Sequence, residues 1–405
     1  MSTNKQEKNK TAMLCWSDLQ LINSLNYAYH STEKIDLFIQ YGSYHTPNLV
    51  EELRKSNIFS NVFVYDVPHW HYSKIYVLIK TFADLITKNS FHRFICDNLR
   101  SKPSLLHLYY MTQNYIKTSH MVVDGDFSSE IRSYNKVLAT WADDLTIQLL
   151  INNKTAEMVL YDDGIGSYSR DMFDLHINPD AEKWCSRLDI SINKLRPSKL
   201  LLSNSTVPVN CKYEIESLMP IYGNYAFVNF LNNIFNYKSY DTYRGKRIIY
   251  LTQPYAAQNP LDPADTNKLE DTEKGMLSTI GEYTDDLIIR PHPRDKERIK
   301  PLLGKYNIDF TSNVWELICA NELTDEHILI GACSTAQFTP KWWYDIEPWI
   351  IITYDLLISD LPFFNESYLE NAQKLKASYR NPDKVIFVRN NSELKASVSY
   401  ILSTF

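Results

Sequence analysis

Three short stretches of this chain hold residue types that could do chemistry. Asp162-Asp163-Gly164 ends the apolar run Glu157–Tyr161, and a carboxylate presented at such a strand end can take a proton from a hydroxyl. His292 stands between Pro291 and Pro293, directly after the apolar run Leu287-Ile288-Ile289 and Arg290. The prolines fix their own φ and push the preceding residues into extended conformations, so the imidazole is excluded from a helix interior and held at a strand's carboxyl end. There it could donate a hydrogen bond or a proton to a leaving phosphate near neutral pH. Ser334-Thr335 follows the apolar run Ile328-Leu329-Ile330 and opens a helical pattern, and hydroxyls and N–H groups at a helix N-terminus form an anion site. Each stretch also has a plain structural reading. Asp-Asp-Gly is a turn composition, Ser-Thr an N-cap pair, and a lone histidine beside prolines is more often structural than catalytic.

Secondary candidates lie on the same kind of loop. Thr252-Gln253-Pro254 ends the strand-like Arg247–Leu251, and Pro291 flanks the histidine. Glu316 could accept hydrogen bonds from ribose hydroxyls, or could simply be a first-turn residue stabilising a helix N-terminus. Asp124-Gly125-Asp126 has the Asp-x-Asp form that can hold a divalent ion and a nucleotide diphosphate, but Asp-Gly also favours a turn, and a site there would leave the His292 and Ser334 loops without a role. His69 and His71 flank Trp70 with nothing nearby to complete a metal site. No Walker loop and no GxGxxG occurs, which argues against P-loop kinases and ordinary dinucleotide enzymes.

The elements that must position these loops alternate along the chain. Strands are expected at Thr11–Trp16, Ile35–Gln40, Asn61–Tyr65, His120–Val123 and Glu157–Tyr161, with helices after a Ser17-Asp18 cap through Tyr29, at Pro47–Ser56, Ser73–Thr87, near Leu105–Tyr115 and around Ala142–Ile151. Residues 170–245 read less clearly, with helical-looking pieces at Lys212–Leu218 and Tyr225–Ile234 and a polar stretch at Asn236–Lys246 taken as a linker. The alternation then restarts. Strands are expected at Arg247–Leu251, Asp286–Arg290, Tyr306–Phe310, His327–Ile330, Trp349–Thr353 and Lys384–Val388, with helices at Asp265–Tyr283, Thr335–Trp343 and Ser392–Leu402. Such alternation argues for parallel sheets covered on both faces. The expected fold class is α/β of the GT-B type, two doubly wound Rossmann-like domains facing across a cleft, over residues 1–240 and 246–385, with a C-terminal helix in 386–405. In such sheets ligands bind beyond the carboxyl ends of the strands.

Composition sets the outer limits. The 405 residues are 44% hydrophobic and 22% charged, enough for two or three domains with their own cores. A net charge of −6 argues against a general nucleic-acid binder. Cys15, Cys96, Cys185, Cys211, Cys319 and Cys333 are scattered without zinc spacing, which suits buried thiols in a reducing compartment. No run approaches the roughly 18 apolar residues of a membrane span, so a cytoplasmic location is expected, with peripheral membrane contact left open. The 28 Tyr and 8 Trp could face sugars, though most aromatics in any chain serve the core. The cluster Lys183, Arg187, Lys194, Arg196 and Lys199 reads as a solvated face before it reads as a polyanion groove.

Taken in order, Asp162-Asp163-Gly164, His292-Pro293 and Ser334-Thr335 resemble the three signatures of bacterial sialyltransferases: an acidic-acidic-Gly motif, a His-Pro motif and a Ser-Ser/Thr motif. Cys15-Trp16-Ser17-Asp18-Leu19-Gln20 and Leu251-Thr252-Gln253-Pro254 are similar to glycosyltransferase family 52 and to capsular polysialyltransferases. Residues 40–155 and 170–245 carry no match. The resemblance implies an inverting GT-B enzyme that uses CMP-sialic acid without a metal or other cofactor and acts on a capsule or lipooligosaccharide glycan. It implies Asp162 as general base, with Asp163 and Gly164 supporting its loop, and His292 on the departing CMP phosphate. It also implies Ser334 and Thr335 as phosphate ligands and Glu316 on the cytidine ribose, and Thr252, Gln253 and Pro291 are expected to join them in binding the CMP donor. The chain has Ser-Thr where many relatives have Ser-Ser, which keeps both hydroxyls. Three alternatives stand beside this: another CMP-activated keto-acid sugar of the legionaminic, pseudaminic or Kdo type, a metal-dependent nucleoside-diphosphate-sugar transferase using Asp124 and Asp126, and a non-catalytic glycan-binding subunit.

Overall fold

The protein is described from a computed structural model covering residues 10–40, 48–65, 122–124, 134–141, 143–153, 155–168, 191–209, 211–240, 242–244, 248–254, 263–302, 304–359, 361 and 366–405. The expected helices Ser73–Thr87 and Leu105–Tyr115 lie outside these residues, as do His69, His71, Asp126, Lys183, Arg187, Cys96 and Cys185. The chain divides into two compact units: residues 1–163, 171–202 and 211–219 form one, and residues 164–170, 203–210 and 220–405 the other. Each unit is an α/β layer structure of the doubly wound, Rossmann-like kind expected from the alternation.

The first unit is built on β1 (Lys10–Cys15), β2 (Lys34–Gln40), β3 (Asn61–Tyr65), β4 (Val122–Asp124), β5 (Lys136–Ala139), β6 (Glu157–Tyr161), β7 (Lys199–Leu202) and β8 (Glu214–Ser217). Their order is β4-β3-β2-β1-β5-β6-β7-β8, parallel throughout except that β4 runs against β3. β1 is near-continuously apolar and buried along its length, as a central strand covered on both faces must be. Helix α1 (Asp18–His30) leaves β1 through the expected cap, with Ser17 Oγ accepting from Gln20 N. Helix α2 (Leu49–Ser56) joins β2 to β3, and α3 (Asp144–Asn152), capped by Asp143, joins β5 to β6.

The second unit carries β9 (Ile248–Leu251), β10 (Leu287–Arg290), β11 (Asn307–Ile308), β12 (Ile328–Gly331), β13 (Trp349–Ile352) and β14 (Val385–Phe387). All are parallel, in the order β11-β10-β9-β12-β13-β14. Its α-helices of five or more residues are α4 (Tyr225–Ile234), α5 (Pro263–Gly281), α6 (Trp315–Glu322), α7 (Thr335–Tyr344), α8 (Tyr354–Ile358), α9 (Ser367–Ser378) and α10 (Asn391–Ser403), among the described residues. Winding reverses at one place in each sheet, between β1 and β5 and between β9 and β12. There the connections leave in opposite directions, and in sheets of this kind such a point is where ligands bind, beyond the carboxyl ends of the strands.

One expected element is overturned. Lys212–Leu218 is not helical: Glu214–Ser217 is an edge strand paired with β7. Glu, Lys and Leu favour helix, but Tyr213 and Ile215 alternate with Glu214 and Glu216 at strand period, and Lys199 of β7 forms an ion pair with both glutamates across the edge. β5, β7 and α9 carried too weak a pattern in four to twelve residues to be read beforehand.

Candidate functional site

At the reversal point of the second unit, Thr252-Gln253 leaves β9 and the turn Ala332-Cys333-Ser334 leaves β12. The two strand ends crowd each other, since a Cβ on Gly331 would stand 3.1 Å from Leu251 O and 3.0 Å from Gln337 Oε1. Only glycine fits there without displacement. Cys333 then adopts φ 67, a left-handed conformation that costs a non-glycine residue about 1–3 kcal/mol and so marks a turn held by its surroundings. Gln337, fully buried, provides the hold: its Oε1 accepts from Cys333 N at 2.8 Å and Ser334 N at 3.2 Å, and its Nε2 donates to Ile351 O at 3.1 Å.

The result is a helix N-terminus with a hydroxyl in reserve. Ser334 is the N-cap of α7 and is 7% exposed; it forms a capping box with Gln337, but the contact from Gln337 N to its Oγ falls short of full hydrogen-bond geometry, and no other group among the described residues bonds the hydroxyl. A buried hydroxyl without a partner costs about 1–3 kcal/mol, a penalty that a bound anion would remove. Thr335 Oγ1 accepts from Ile165 N at 3.2 Å, so this hydroxyl holds the loop that follows Asp162-Asp163-Gly164 in the chain. That loop, a short 3₁₀ turn over Ile165–Tyr168, is held further by Asn371 and by Lys374 Nζ, which donates to Tyr168 O at 2.8 Å.

His292 emerges at the end of β10, the neighbour of β9 on the side away from β12. Its N–H donates to Thr252 Oγ1 at 3.0 Å, and its Nδ1 accepts from Arg294 N at 3.1 Å. This bond to the following backbone orients the ring through Nδ1. The 3₁₀ turn behind it, Pro293–Asp295, is clamped by ionic contacts that the sequence alone did not reveal. Arg298 donates through Nε to Asp295 Oδ1 at 2.7 Å and through Nη2 to Asp295 Oδ2 at 2.6 Å, and it also pairs with buried Glu273, which accepts from Tyr250 OH at 2.6 Å. Pro291 is buried and Gln253 half-buried at the same strand ends.

A second ionic group sits behind β10. Arg290 Nη1 donates to Asp309 Oδ2 at 2.6 Å, Tyr243 OH donates to the same oxygen at 2.5 Å, and Arg290 Nη2 donates to Asn313 O. Burial pushes the Asp309 carboxyl up, but the adjacent Arg290 charge and the Tyr243 and Thr311 hydrogen bonds outweigh it and hold it below its ordinary range. Glu316, in the first turn of α6, is 8% exposed, and burial raises its carboxyl to about 7 against the opposing pull of its own backbone N–H and of Arg290. The Trp315 indole N–H, donated to Ala336 O at 2.8 Å, ties that turn to the start of α7.

In the first unit, Asp162 and Asp163 follow β6. Asp162 is fully buried and its carbonyl accepts from Asn23 Nδ2 at 2.9 Å; Asp163 is half-buried and its Oδ1 accepts from Gln20 Nε2 at 2.6 Å. Gly164 has φ 88, the left-handed region that makes glycine the favoured residue for this turn. Gln20 and Asn23 were not singled out in the sequence, although Gln20 closes the Cys15–Gln20 stretch. Asp124 forms part of edge strand β4. Among the described residues no group of three or more His, Cys, Asp or Glu side chains is placed to hold a metal ion. Cys15, Cys319 and Cys333 are buried thiols and Cys211 is partly exposed.

No protein-family model matches the chain, and no curated protein matches it in sequence. Among solved structures it is similar to MurG of Acinetobacter baumannii (9% identity, 98% of this chain and 90% of that one, TM-score 0.38). It is similar to a protein described as a UDP-N-acetylglucosamine 2-epimerase from Listeria monocytogenes (7% identity, 98% and 88%, TM-score 0.44). LpCGTa, solved in complex with UDP, is a third (8% identity, 98% and 91%, TM-score 0.41).

Proposed function

We propose that this chain is an inverting glycosyltransferase of the GT-B kind that moves sialic acid from CMP-sialic acid to a hydroxyl of a bacterial surface glycan. In this reading the first half, residues 1–240, takes the acceptor, and residues 246–385 take the donor. The observation that carries it is the buried Ser334 hydroxyl at the N-terminus of α7, which makes no full hydrogen bond, on the same carboxyl edge of the sheet as the loop of His292. Hydroxyl, helix amides and imidazole together suit a phosphate monoester, and CMP is the activated-sugar leaving group that departs as one. The order of the three motifs supports the keto-acid sugar.

The transfer balances as follows. A carboxylate of the Asp162-Asp163 pair takes the proton of the acceptor hydroxyl, and the acceptor oxygen forms a bond to the anomeric carbon from the face opposite the phosphate. The bond from that carbon to the phosphate oxygen breaks, and both its electrons leave with CMP. Ser334 Oγ–H, the α7 amides and His292 Nε2–H donate hydrogen bonds to the phosphate oxygens as charge builds there. His292 hydrogen-bonds or protonates the departing phosphate. Glu316 is assigned to the ribose hydroxyls. No metal is required, since these donors carry the developing charge.

Resemblance assigns the base to Asp162. Exposure favours a second assignment, Asp163, whose half-buried carboxylate is the more accessible of the pair. The deciding experiment is CMP release from CMP-sialic acid in EDTA with lactosides and short sialosides as acceptors, comparing wild type with Asp162→Asn, Asp163→Asn and His292→Ala. Acceptor-dependent turnover that survives EDTA, and is lost in His292→Ala and one aspartate variant, supports the reading and names the base. CMP binding without turnover would move the donor to another CMP-activated keto-acid sugar. Absence of CMP binding would refute it.

A further inference from the structure

We propose that the carboxyl end of the first unit's sheet, at the switch point between β1 and β5, is an acceptor-sugar subsite. Trp16 and Trp141 would pack against the apolar face of one pyranose ring, with Gln20 and Asp163 at its hydroxyl rim. The inference rests on the transferase reading above and adds to it the residues that receive the acceptor.

Topology selects the place. β1 and β5 are parallel neighbours whose connections leave in opposite directions, and ligands of doubly wound sheets bind beyond the strand ends at such a point. Trp16 is the first residue after β1 and Trp141 lies just past β5. Their ring centroids are 4.4 Å apart with planes at 72°, an edge-to-face corner.

Exposure distinguishes this pair from core. The other described tryptophans, Trp315, Trp342, Trp343 and Trp349, are 6–8% exposed, whereas Trp16 and Trp141 are both only half-buried. An aromatic corner left partly open at the ligand end of a doubly wound sheet suits a ligand with one apolar face. A pyranose ring has such a face in its axial C–H groups, with hydroxyls around its rim.

The polar side of the subsite is organised in advance. Gln20 is 4% exposed, and its Oε1 accepts from Trp16 N at 2.6 Å, which fixes the amide so that Nε2 donates to Asp163 Oδ1 at 2.6 Å. One side chain thereby holds both the backbone of the first tryptophan and the half-buried carboxylate. A carboxylate beside an aromatic face is a hydrogen-bond acceptor for sugar hydroxyls, and holding it before binding removes part of the ordering cost. Gln20 is therefore a positioning residue for the subsite.

The test is isothermal titration of wild type, Trp16→Ala, Trp141→Ala and Trp141→Leu with three ligands: lactose, an α2,8-linked disialoside and CMP. Trp141→Leu keeps apolar bulk but lacks the ring, so it serves if alanine disrupts the corner. The expected result is a loss of about tenfold or more in affinity for whichever glycan wild type binds better, with CMP affinity kept within about twofold. Unchanged glycan affinity in the tryptophan variants, or no binding of either glycan by wild type, would overturn the subsite. A parallel loss of CMP affinity would also overturn it, since the effect would then be general. If wild type binds glycan through the tryptophans but binds no CMP, the subsite stands and the donor assignment falls; if CMP binds and the glycan ignores the tryptophans, the reverse holds.

Discussion

The backbone N–H of His292 donates to the side-chain hydroxyl of Thr252 at 3.0 Å, pinning the loop after β10 to the loop after β9. Thr252 N in turn donates to Arg290 O at 3.2 Å, so the two strand ends are joined in both directions. Thr252, expected from the sequence as a donor ligand, uses its buried hydroxyl to hold the histidine's backbone, a positioning role that phosphate contact through other atoms would leave intact.

Thr252→Val keeps the shape but leaves the His292 N–H without its acceptor. The expected outcome is a fall of about 10–100-fold in kcat with a smaller change in donor KM, since ångström-scale misplacement of a reacting group costs on that order. Thr252→Ser should restore most of the rate. Steady-state kinetics checks this; a serine variant as slow as valine would contradict the positioning role.

Ser334→Ala separates cap from ligand site. An N-cap serine that bonds its helix loses about 1 kcal/mol on truncation to alanine, whereas removing a buried hydroxyl with no partner should be neutral or stabilising. Denaturation is expected to show unchanged or raised stability, while titration with CMP shows affinity lower by about tenfold, the value of one charge-assisted hydrogen bond. Lost stability with unchanged CMP affinity would reduce Ser334 to a cap.

For the acidic pair, the aspartate that accepts the proton should lose about 10²–10⁴-fold in kcat on amidation, with donor affinity preserved. Amidation of its neighbour should cost far less. The rates of Asp162→Asn and Asp163→Asn, measured side by side, decide the assignment; near-wild-type rates in both would exclude general-base catalysis from this loop.

Glu316 makes stability depend on pH. Its carboxyl is raised from 4.5 to about 7, so the folded chain binds that proton more tightly than the unfolded chain. The contribution is complete below about pH 4.5 and is lost as pH rises through about 7. Relative to Glu316→Gln, wild type should therefore lose about 3 kcal/mol across that window. Denaturant midpoints at pH 5 and pH 7.5 test it, and equal shifts in both proteins would show that this carboxyl does not titrate there.

Arg298 satisfies the carboxylates of Glu273 and Asp295, which are 8% and 5% exposed at the side chain. Arg298→Ala should destabilise the second unit by about 2–4 kcal/mol by leaving buried charge uncompensated. The combined variant with Glu273→Gln should recover part of this. Both are read from urea unfolding, and additivity of the two losses would argue against coupling.

What the sequence determined by itself follows from local chemistry. Strands such as Ile248–Leu251 and Trp349–Ile352 are apolar on both faces, and helices such as Asp18–His30 carry their cap beside them, so alternation and the α/β class were legible. The prolines around His292 located it at a strand end for the same reason. Edge strand Glu214–Ser217 was misread because the glutamates and the flanking Lys212 and Leu218 favour helix, and a four-residue strand carries less local signal than its partner strand supplies. Tertiary structure alone decided the rest. The winding order puts Trp16 beside Trp141 and Thr252 beside His292, and the burial of Ser334 Oγ or the Arg298 clamp depends on residues distant in sequence that meet only when sheets form. Hydrogen-bond satisfaction and exposure are properties of those meetings, and no spacing along the chain encodes them.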